Sequence, residues 1–281
     1  MNDLYAASQQ LETLLAPPFT WCAIAAGSVV LSDAADRGGT PGGIFAVRTF
    51  ALSKYLITNA QFERFVEDPN GYPNHGWWDY SVHARQWRQT RPNAQRTAFP
   101  GATMPRTRAS WFDSMAFCAW LSNLFAPERP FVIDDVRTWP IRLPSEVEWQ
   151  RAALGDTPGP YPWGMAVVDP TRATCANWAT QPTDVDRHPA GASPYGVLDM
   201  SGNLAEWCLT KWGTDGHDVT GYDYRNVRGG AWNIDAQNIF LQATDRYGHP
   251  PRGRLNDFGF RIGLYLEDEE AQNMLGTIAK A

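Results

Sequence analysis

The 281-residue chain has the composition of an ordinary globular protein, with 43% hydrophobic and 19% charged residues, which excludes general disorder. Its formal net charge of -6 argues against nucleic acid as a partner, because phosphate binding needs a basic face. No apolar run reaches the roughly 18 residues that a membrane span requires. The N-terminus lacks the basic region and apolar core of a signal peptide, so we expect a cytoplasmic protein.

The first part of the chain predicts one helix followed by strands. Residues 1–16 predict an amphipathic helix with a leucine stripe, which Pro17 and Pro18 end. The stretch WCAIAAGSVVLS then predicts a strand, a turn and a second strand, and FAVRTFALSKYLIT predicts a single further strand.

Three more helices are predicted from their caps and apolar spacing. Thr58 and Gln61 have capping-box spacing and open a short helix in NAQFERFVED. The stretch ASWFDSMAFCAWLSNLF has apolar residues at helical spacing. Ser145 and Glu148 form a second capping box, before a helix that ends near Gly155.

Residues 70–108, rich in Pro, Gly and Trp, predict a long loop. Its GWWDY stretch is interpreted as a structural wedge, with a place beside a binding surface as the alternative. Short strands and turns are expected up to about residue 263, and the last eighteen residues predict an acidic tail or a short helix. The whole pattern predicts the α+β class with a loop-rich C-terminal half.

The common catalytic motifs are absent from the sequence. The five histidines are scattered without an HExxH pattern, and there is no GxGxxG, Walker or GxSxG motif. The four cysteines form no CxxC pair, so a zinc knuckle or redox motif is not expected, and they are interpreted as buried structural thiols.

The stretch LDMSGNLAEW, residues 198–207, is the one candidate cation site that spacing suggests. Asp199 and Glu206 bracket a turn at Gly202, where the backbone can direct carbonyl oxygens inward. Carboxylate and carbonyl oxygens suit Ca²⁺, which takes 6–8 oxygen ligands. The alternative interpretation is a plain turn with a capping Asp and an exposed Glu.

Eight segments resemble, in order, the formylglycine-generating enzyme (sulfatase-modifying factor) family. They are YLITNAQFERFV, SWFDSMAFCAWLS, IRLPSEVEWQRAALG, YPWG, ANW, SPYGVLDMSGNLAEWC, VRGGAWN and NDFGFRI. The resemblance covers residues 20–264, with 1–19 as an N-terminal extension and 265–281 as a C-terminal tail. It implies an α+β, loop-rich variant of the C-type lectin fold with bound calcium.

The resemblance also implies where calcium would bind. The family's second site falls on the side chains of Asp199 and Glu206 and on the carbonyls of Gly202 and Leu204. Its first site would use Asn177 and the carbonyl of Trp178, with a following acidic residue for which Asp184 is the only stand-in.

The copper site of the true formylglycine-generating enzymes has no counterpart at the matching positions. In that family two cysteines follow a GGS turn and hold the copper ion. Here the serine position is Ala231 and the cysteine positions are Ile234 and Ile239. Isoleucine has no lone pair to offer a metal, so we expect no copper.

An oxygen-dependent enzyme remains the alternative function. The ergothioneine-type sulfoxide synthases of the same superfamily add a helical bundle that helps to supply iron-binding histidines, and no HxxxH pattern is present here. An oxidase or oxygenase with non-cysteine ligands would draw on His83, His217 or His249.

The favoured hypothesis is a non-catalytic module that binds a protein or a small molecule. The chain is similar to the variable proteins of diversity-generating retroelements, whose ligand-facing segment corresponds to residues 231–258 here. Aromatic anchors among adaptable polar groups make a suitable contact surface. The candidate contact residues are Trp232, Asn233, Ile234, Asp235, Asn238, Phe240, Tyr247, His249, Arg252 and Leu255. An ordinary polar loop is the alternative.

Three other residues are predicted to belong to the framework. Loss of Arg142, Glu148 or Trp149 is expected to unfold the domain rather than to change binding.

Overall fold

The computed structural model describes residues 2–15, 17–125, 132–214, 216–266 and 276. The α-helices in these ranges are α1 (Asn2–Leu15), α2 (Asn59–Glu67), α3 (Val82–Gln89), α4 (Trp111–Phe125) and α5 (Glu146–Leu154). The strands are β1 (Trp21–Ile24), β2 (Gly27–Leu31), β3 (Gly43–Val47), β4 (Phe50–Ser53), β5 (Ile141–Arg142), β6 (Ala205–Lys211), β7 (Arg225–Arg228), β8 (Tyr247–His249), β9 (Phe258–Gly259) and β10 (Gly263–Leu264).

The described strands form two four-stranded sheets and one hairpin. The first sheet has the order β1-β4-β10-β5, and the hairpin consists of β2 and β3. The second large sheet has the order β8-β7-β6-β9, in which β6 and β9 run parallel. Strand β8 therefore lies at an edge of this sheet, and it belongs to the segment 231–258 that is predicted to bind a ligand. The mixture of helices and sheets agrees with the predicted α+β class.

Both predicted capping boxes are confirmed. The Thr58 hydroxyl accepts from the Gln61 backbone N–H at 3.3 Å, and the Gln61 side chain accepts from the Thr58 N–H at 2.9 Å. In the same way, Ser145 and Glu148 bond reciprocally at 3.4 Å and 2.7 Å. Each box satisfies two N–H groups that a helix start would otherwise leave without partners, which is why α2 and α5 begin where the sequence predicts.

Helix α4 runs through the centre of the main hydrophobic core and is buried on nearly all sides. A helix that is apolar all round belongs in an interior, and α4 carries only one charged residue, Asp113. That carboxylate receives two bonds from Arg254, both at 3.0 Å, and one from the Tyr72 hydroxyl at 2.9 Å. The buried charge is therefore paired and hydrogen-bonded.

Two predictions about elements were wrong. The stretch FAVRTFALSKYLIT contains two strands, because β3 pairs with β2 while β4 pairs with β1 in another sheet. Residues 70–108 are not a plain loop, since Ser81 caps α3 by accepting from the Ala84 N–H at 3.2 Å. The wedge interpretation of GWWDY is confirmed, since Trp77, Trp78 and Tyr80 are buried in the core.

Helix α1 and Tyr265, which follows β10, also contact the hydrophobic core. Helix α1 packs against α4, with Leu11 and Leu15 buried. The Tyr265 ring stacks on Phe50 with centroids 5.5 Å apart. The acidic tail or helix predicted after Leu264 lies outside the described residues, apart from Tyr265, Leu266 and residue 276. Helices of the length and apolarity needed to cross a bilayer are not found in the described ranges.

Candidate ligand-binding face and cation site

The segment 231–258 starts from a turn that only glycine can form. Gly229 and Gly230 have φ angles of +87° and +66°, in the left-handed region. A Cβ on Gly230 would lie 2.7 Å from the Phe240 carbonyl oxygen, so this turn also brings two parts of the segment together. The RGG sequence therefore fixes the direction in which the segment leaves β7.

Buried residues within the segment 231–258 attach it to the hydrophobic interior. Ala231, Leu241, Ala243 and Phe258 enter hydrophobic clusters. The fully buried Arg246 donates to both oxygens of Glu146, at 2.8 Å each. Burying an ion pair costs desolvation energy, which is offset only when the hydrogen bonds of both partners are complete. Arg246 meets this requirement with further bonds to Ser32 and Thr40.

The ten predicted contact residues, which we call the contact face, all reach the surface. Asn233, Asp235, Asn238 and Arg252 are exposed. The other six are partly exposed, namely Trp232, Ile234, Phe240, Tyr247, His249 and Leu255. The segment therefore divides into buried anchors and an accessible face.

Contacts connect several members of the contact face. The Phe240 and Tyr247 rings lie 5.2 Å apart. Asn233 donates to the Asp257 carboxylate at 3.0 Å. Burial raises the pKa of Tyr247, and the Asp257 carboxylate raises it further, so its hydroxyl stays protonated near neutral pH. These contacts hold aromatic and polar groups in one arrangement.

The long insert contributes neighbours that the sequence did not indicate. The Phe99 ring meets Trp232 edge-on, with centroids 5.7 Å apart. Arg108 donates to the Asn256 side chain at 2.7 Å, and its backbone N–H donates to the Leu255 carbonyl at 2.9 Å. The insert thus borders the contact face through residues 99–108, and not through the buried GWWDY stretch.

The two positions that correspond to copper-binding cysteines have different surroundings. Ile234 is partly buried and packs against a cluster that contains Cys175, whereas Ile239 is 53% exposed. The Cys175 thiol is buried, and burial raises its pKa, which disfavours the thiolate that binds soft metals. The sequence did not predict that a thiol lies close to Ile234.

Asp199 is buried, and its two carboxylate oxygens have different surroundings. It lies at φ +59° and is 2% exposed. One carboxylate oxygen accepts from Asn203 at 2.8 Å, but Oδ1 has no hydrogen-bond partner among the described residues. Burial, aided by the neighbouring Glu206 and Asp186 carboxylates, raises the Asp199 pKa to about 7. A cation bound here would give Oδ1 a partner and would offset the repulsion between Asp199 and these two carboxylates.

Glu206 is largely committed to the framework. Arg261 donates to both of its oxygens, at 2.6 Å and 2.7 Å, and the Trp149 indole donates to Oε2 at 2.8 Å. A carboxylate has about four lone-pair positions, so these bonds leave one for a further partner. The alternative of an exposed Glu in a plain turn is wrong, since Glu206 is fully buried.

The residues of the other expected calcium site have different partners. Asn177 accepts from the Ala236 N–H at 2.6 Å and donates to Asp235 at 3.2 Å, so its side chain supports the contact face. Asp184 accepts from the Thr103 hydroxyl at 2.6 Å, and the Trp178 indole donates to the Ala173 carbonyl. The structure gives Asn177 and Asp184 no common contact.

The candidate histidine ligands also lie in separate contacts. The His83 Nδ1 accepts from the Gly221 N–H at 3.0 Å. His249 packs against the rings of Trp207 and Phe258. His217 is likewise engaged in an interaction. In the described ranges, no three His, Cys, Asp or Glu side chains are grouped so that they could hold a metal.

The chain is similar in sequence to several known proteins. Hercynine oxygenase of Mycolicibacterium smegmatis is 26% identical over 251 residues, which cover 76% of this chain and 53% of the relative. The inactive C-alpha-formylglycine-generating enzyme 2 of Mus musculus is 27% identical over 273 residues, covering 82% and 80%. The chain spans about half the length of the hercynine oxygenases that it matches.

A solved structure and a family model settle the fold and the family. Treponema denticola variable protein 1 superposes with a TM-score of 0.61 at 20% identity, over 88% of this chain and 95% of that protein. This likeness confirms the predicted fold. Residues 15–264 match the family described as the sulfatase-modifying factor enzyme 1-like domain. Because this match spans most of the chain, the protein belongs to that family.

Proposed function

We propose that the protein is a non-catalytic module that binds a protein or small-molecule ligand through the contact face. The observation that carries this proposal is the division of residues 231–258. Its anchors are buried, while all ten residues of the contact face remain accessible. A scaffold that orders its own loop reduces the entropy that is lost when a ligand binds.

The side chains of the contact face suit such a role. Trp232, Tyr247 and Phe240 offer large, rigid contact areas, and aromatic anchors supply much of the energy at interfaces. Asn233 and Asn238 offer both donors and acceptors at the surface. The fold shared with Treponema denticola variable protein 1 supports a more specific form of the proposal, in which residues 231–258 are the variable segment of a retroelement-diversified protein.

This specific form can be tested in the DNA around the gene. A reverse transcriptase gene and a second copy of the codons for residues 231–260, differing at adenines, are expected. A neighbourhood without either would refute retroelement diversification and leave the general binding proposal standing.

The absence of catalysis is tested on the purified protein. Ile234 and Ile239 cannot bind copper, and one relative is named as an inactive enzyme, which supports the non-catalytic proposal. We expect no stoichiometric copper or iron and no oxygen uptake with thiol substrates. Stoichiometric copper or iron together with oxygen-dependent turnover would overturn the proposal.

A second candidate function is an oxygen-dependent oxidase or oxygenase, which the similarity to hercynine oxygenases favours. It would need ligands such as His83, His217 or His249. Loss of bound iron and of oxygen uptake in both His83→Ala and His249→Ala would support it, with His75→Ala as the matched control.

We also propose a structural calcium ion at Asp199 and Glu206, with the carbonyls of Gly202 and Leu204. The buried Asp199 Oδ1, which has no partner in the part of the chain that the structure describes, supports this site, because Ca²⁺ favours carboxylate and carbonyl oxygens. The ion would neutralise the repulsion between the two carboxylates. The site formed by Asn177 and Trp178 is the less supported of the two, because the Asn177 side chain already bonds to the contact face.

A further inference from the structure

A groove of about 490 Å³ lies beside the start of α2, outside the contact face. We call it the α2 groove. Its walls include Asn59, Glu63, Arg96, Thr97, Ala102 and Arg106. Its volume lies within the range of pockets that hold small molecules.

The two walls of the α2 groove are fixed to each other by backbone hydrogen bonds. The Asn59 N–H donates to the Met104 carbonyl at 2.9 Å, and the Ala60 N–H donates to the Ala102 carbonyl at 3.1 Å. The groove is therefore preformed, and a ligand would not have to order its walls.

The charge of the groove is unbalanced. The Arg106 side chain is 3% exposed, and its guanidinium donates to the Glu63 carboxylate through one contact of 3.3 Å and to the Gln95 carbonyl. The Glu63 side chain is 49% exposed, so water weakens this pair. Arg96 adds a second, exposed guanidinium. The lining thus contains two positive charges and one negative charge.

The walls also keep polar atoms that the described residues do not satisfy. The Asn59 amide donates to the Phe99 and Gly101 carbonyls at 2.6 Å and 2.8 Å, which fixes its orientation and leaves its buried Oδ1 without a partner. The buried Arg106 Nε also lacks a partner within the described ranges. A buried N–H without a partner is uncommon in native interiors and favours an acceptor ligand. The Asn59 oxygen is itself an acceptor, so it offers an oxyanion no hydrogen bond.

We propose that the α2 groove binds the oxyanion group of a small molecule, a carboxylate or a phosphate, through Arg106 and Arg96. Guanidinium groups bind these anions in a planar, two-bonded geometry. The Glu63 carboxylate pairs with Arg106 when the ligand is absent, and it competes with the ligand for this guanidinium. None of the lining residues belongs to residues 231–258, so this site does not depend on the proposed function.

The test is a titration of the folded protein with succinate and, separately, with inorganic phosphate at constant ionic strength. The reporter is the Arg106 side-chain Nε–H resonance, identified by its loss in Arg106→Lys. A saturable shift is expected, with a dissociation constant on the order of 1 mM. Tighter binding of phosphate would assign a phosphoryl ligand, and tighter binding of succinate a carboxylate ligand.

Two variants should act in opposite directions. Glu63→Gln removes the competing carboxylate and should tighten binding about threefold to tenfold, whereas Arg96→Ala should weaken it by a similar factor. Arg85→Ala removes an exposed arginine that does not line the groove and should leave binding unchanged. Equal weakening in Arg96→Ala and Arg85→Ala, weaker binding in Glu63→Gln, or the absence of saturation would each overturn the proposal.

Discussion

The cap of α5, formed by Arg142, Ser145 and Glu148, and the contact face are both rich in polar side chains, yet they use them differently. Glu148 is mostly buried and receives four hydrogen bonds, two from Arg142, one from Ser145 and one from Tyr265. In the contact face, Asp235 and Asn238 mainly bond to backbone N–H groups two residues away and stay exposed. Removing a buried partner leaves an unsatisfied group, whereas water replaces an exposed one. The cap is thus expected to determine stability, and the contact face to determine binding.

The largest effect is expected in the framework, from Trp149→Ala. This side chain is fully buried, donates to Glu206 at 2.8 Å and lies under the Arg228 guanidinium, 5.2 Å from its ring centre. We expect a loss of about 3–5 kcal/mol in the free energy of unfolding. The matched control is Trp178→Ala, because Trp178 is 38% exposed and its removal should lower the free energy of unfolding by less. A melting curve for Trp149→Ala that matched the parent would contradict the assignment.

The next effect concerns acid stability and Glu148. Burial alone would raise its pKa, but the Arg142 guanidinium and the Ser145 hydrogen bonds lower it to about 2, below the ordinary value of 4.5 for a glutamate. Ionised Glu148 therefore contributes roughly 3 kcal/mol to the free energy of unfolding above pH 4.5, and this contribution is lost as the pH falls toward 2. The free energy of unfolding, measured by denaturant titration between pH 2 and 6, should fall less steeply with decreasing pH in Glu148→Gln than in the parent. Parallel curves for parent and variant would rule this out.

Calcium should raise the melting temperature if Asp199 binds it. A ligand at a hundredfold excess over its dissociation constant stabilises the native state by about 2.7 kcal/mol. Asp199→Gly removes the carboxylate but tolerates the left-handed backbone at φ +59°, so it should abolish the calcium response without backbone strain. An Asp184→Asn variant serves as the control and should keep most of the response. If calcium raised the melting temperature of Asp199→Gly as much as that of the parent, this site would be excluded.

The smallest effect on stability is expected in the contact face. Asn233→Ala combined with Arg252→Ala removes two exposed side chains, and each surface change should cost about 0.5 kcal/mol or less. Arg246→Ala, in the same segment but fully buried against Glu146, should instead destabilise by several kcal/mol. Equal losses of unfolding free energy in the double variant and in Arg246→Ala would contradict the division of the segment into an exposed contact face and buried anchors.

Local sequence patterns predicted the parts of the fold that depend on neighbouring residues. The capping boxes at Thr58 and Ser145 were found because their partners lie three residues away. The division of FAVRTFALSKYLIT into two strands was missed because their hydrogen-bond partners belong to different sheets. Helix α3 was missed because the Pro, Gly and Trp content of the insert outweighed the cap at Ser81.

The sequence by itself determined the family, the positions of the helix caps and the hydrocarbon side chains at 234 and 239, since these are read from residue identity and short spacing. Only the tertiary structure decided that Phe99 borders Trp232, that Arg246 pairs with a glutamate 100 positions earlier, and that a buried Asp199 oxygen finds no partner among the described residues. These contacts join residues far apart in the chain, and no local pattern encodes which distant side chains will meet when the core packs.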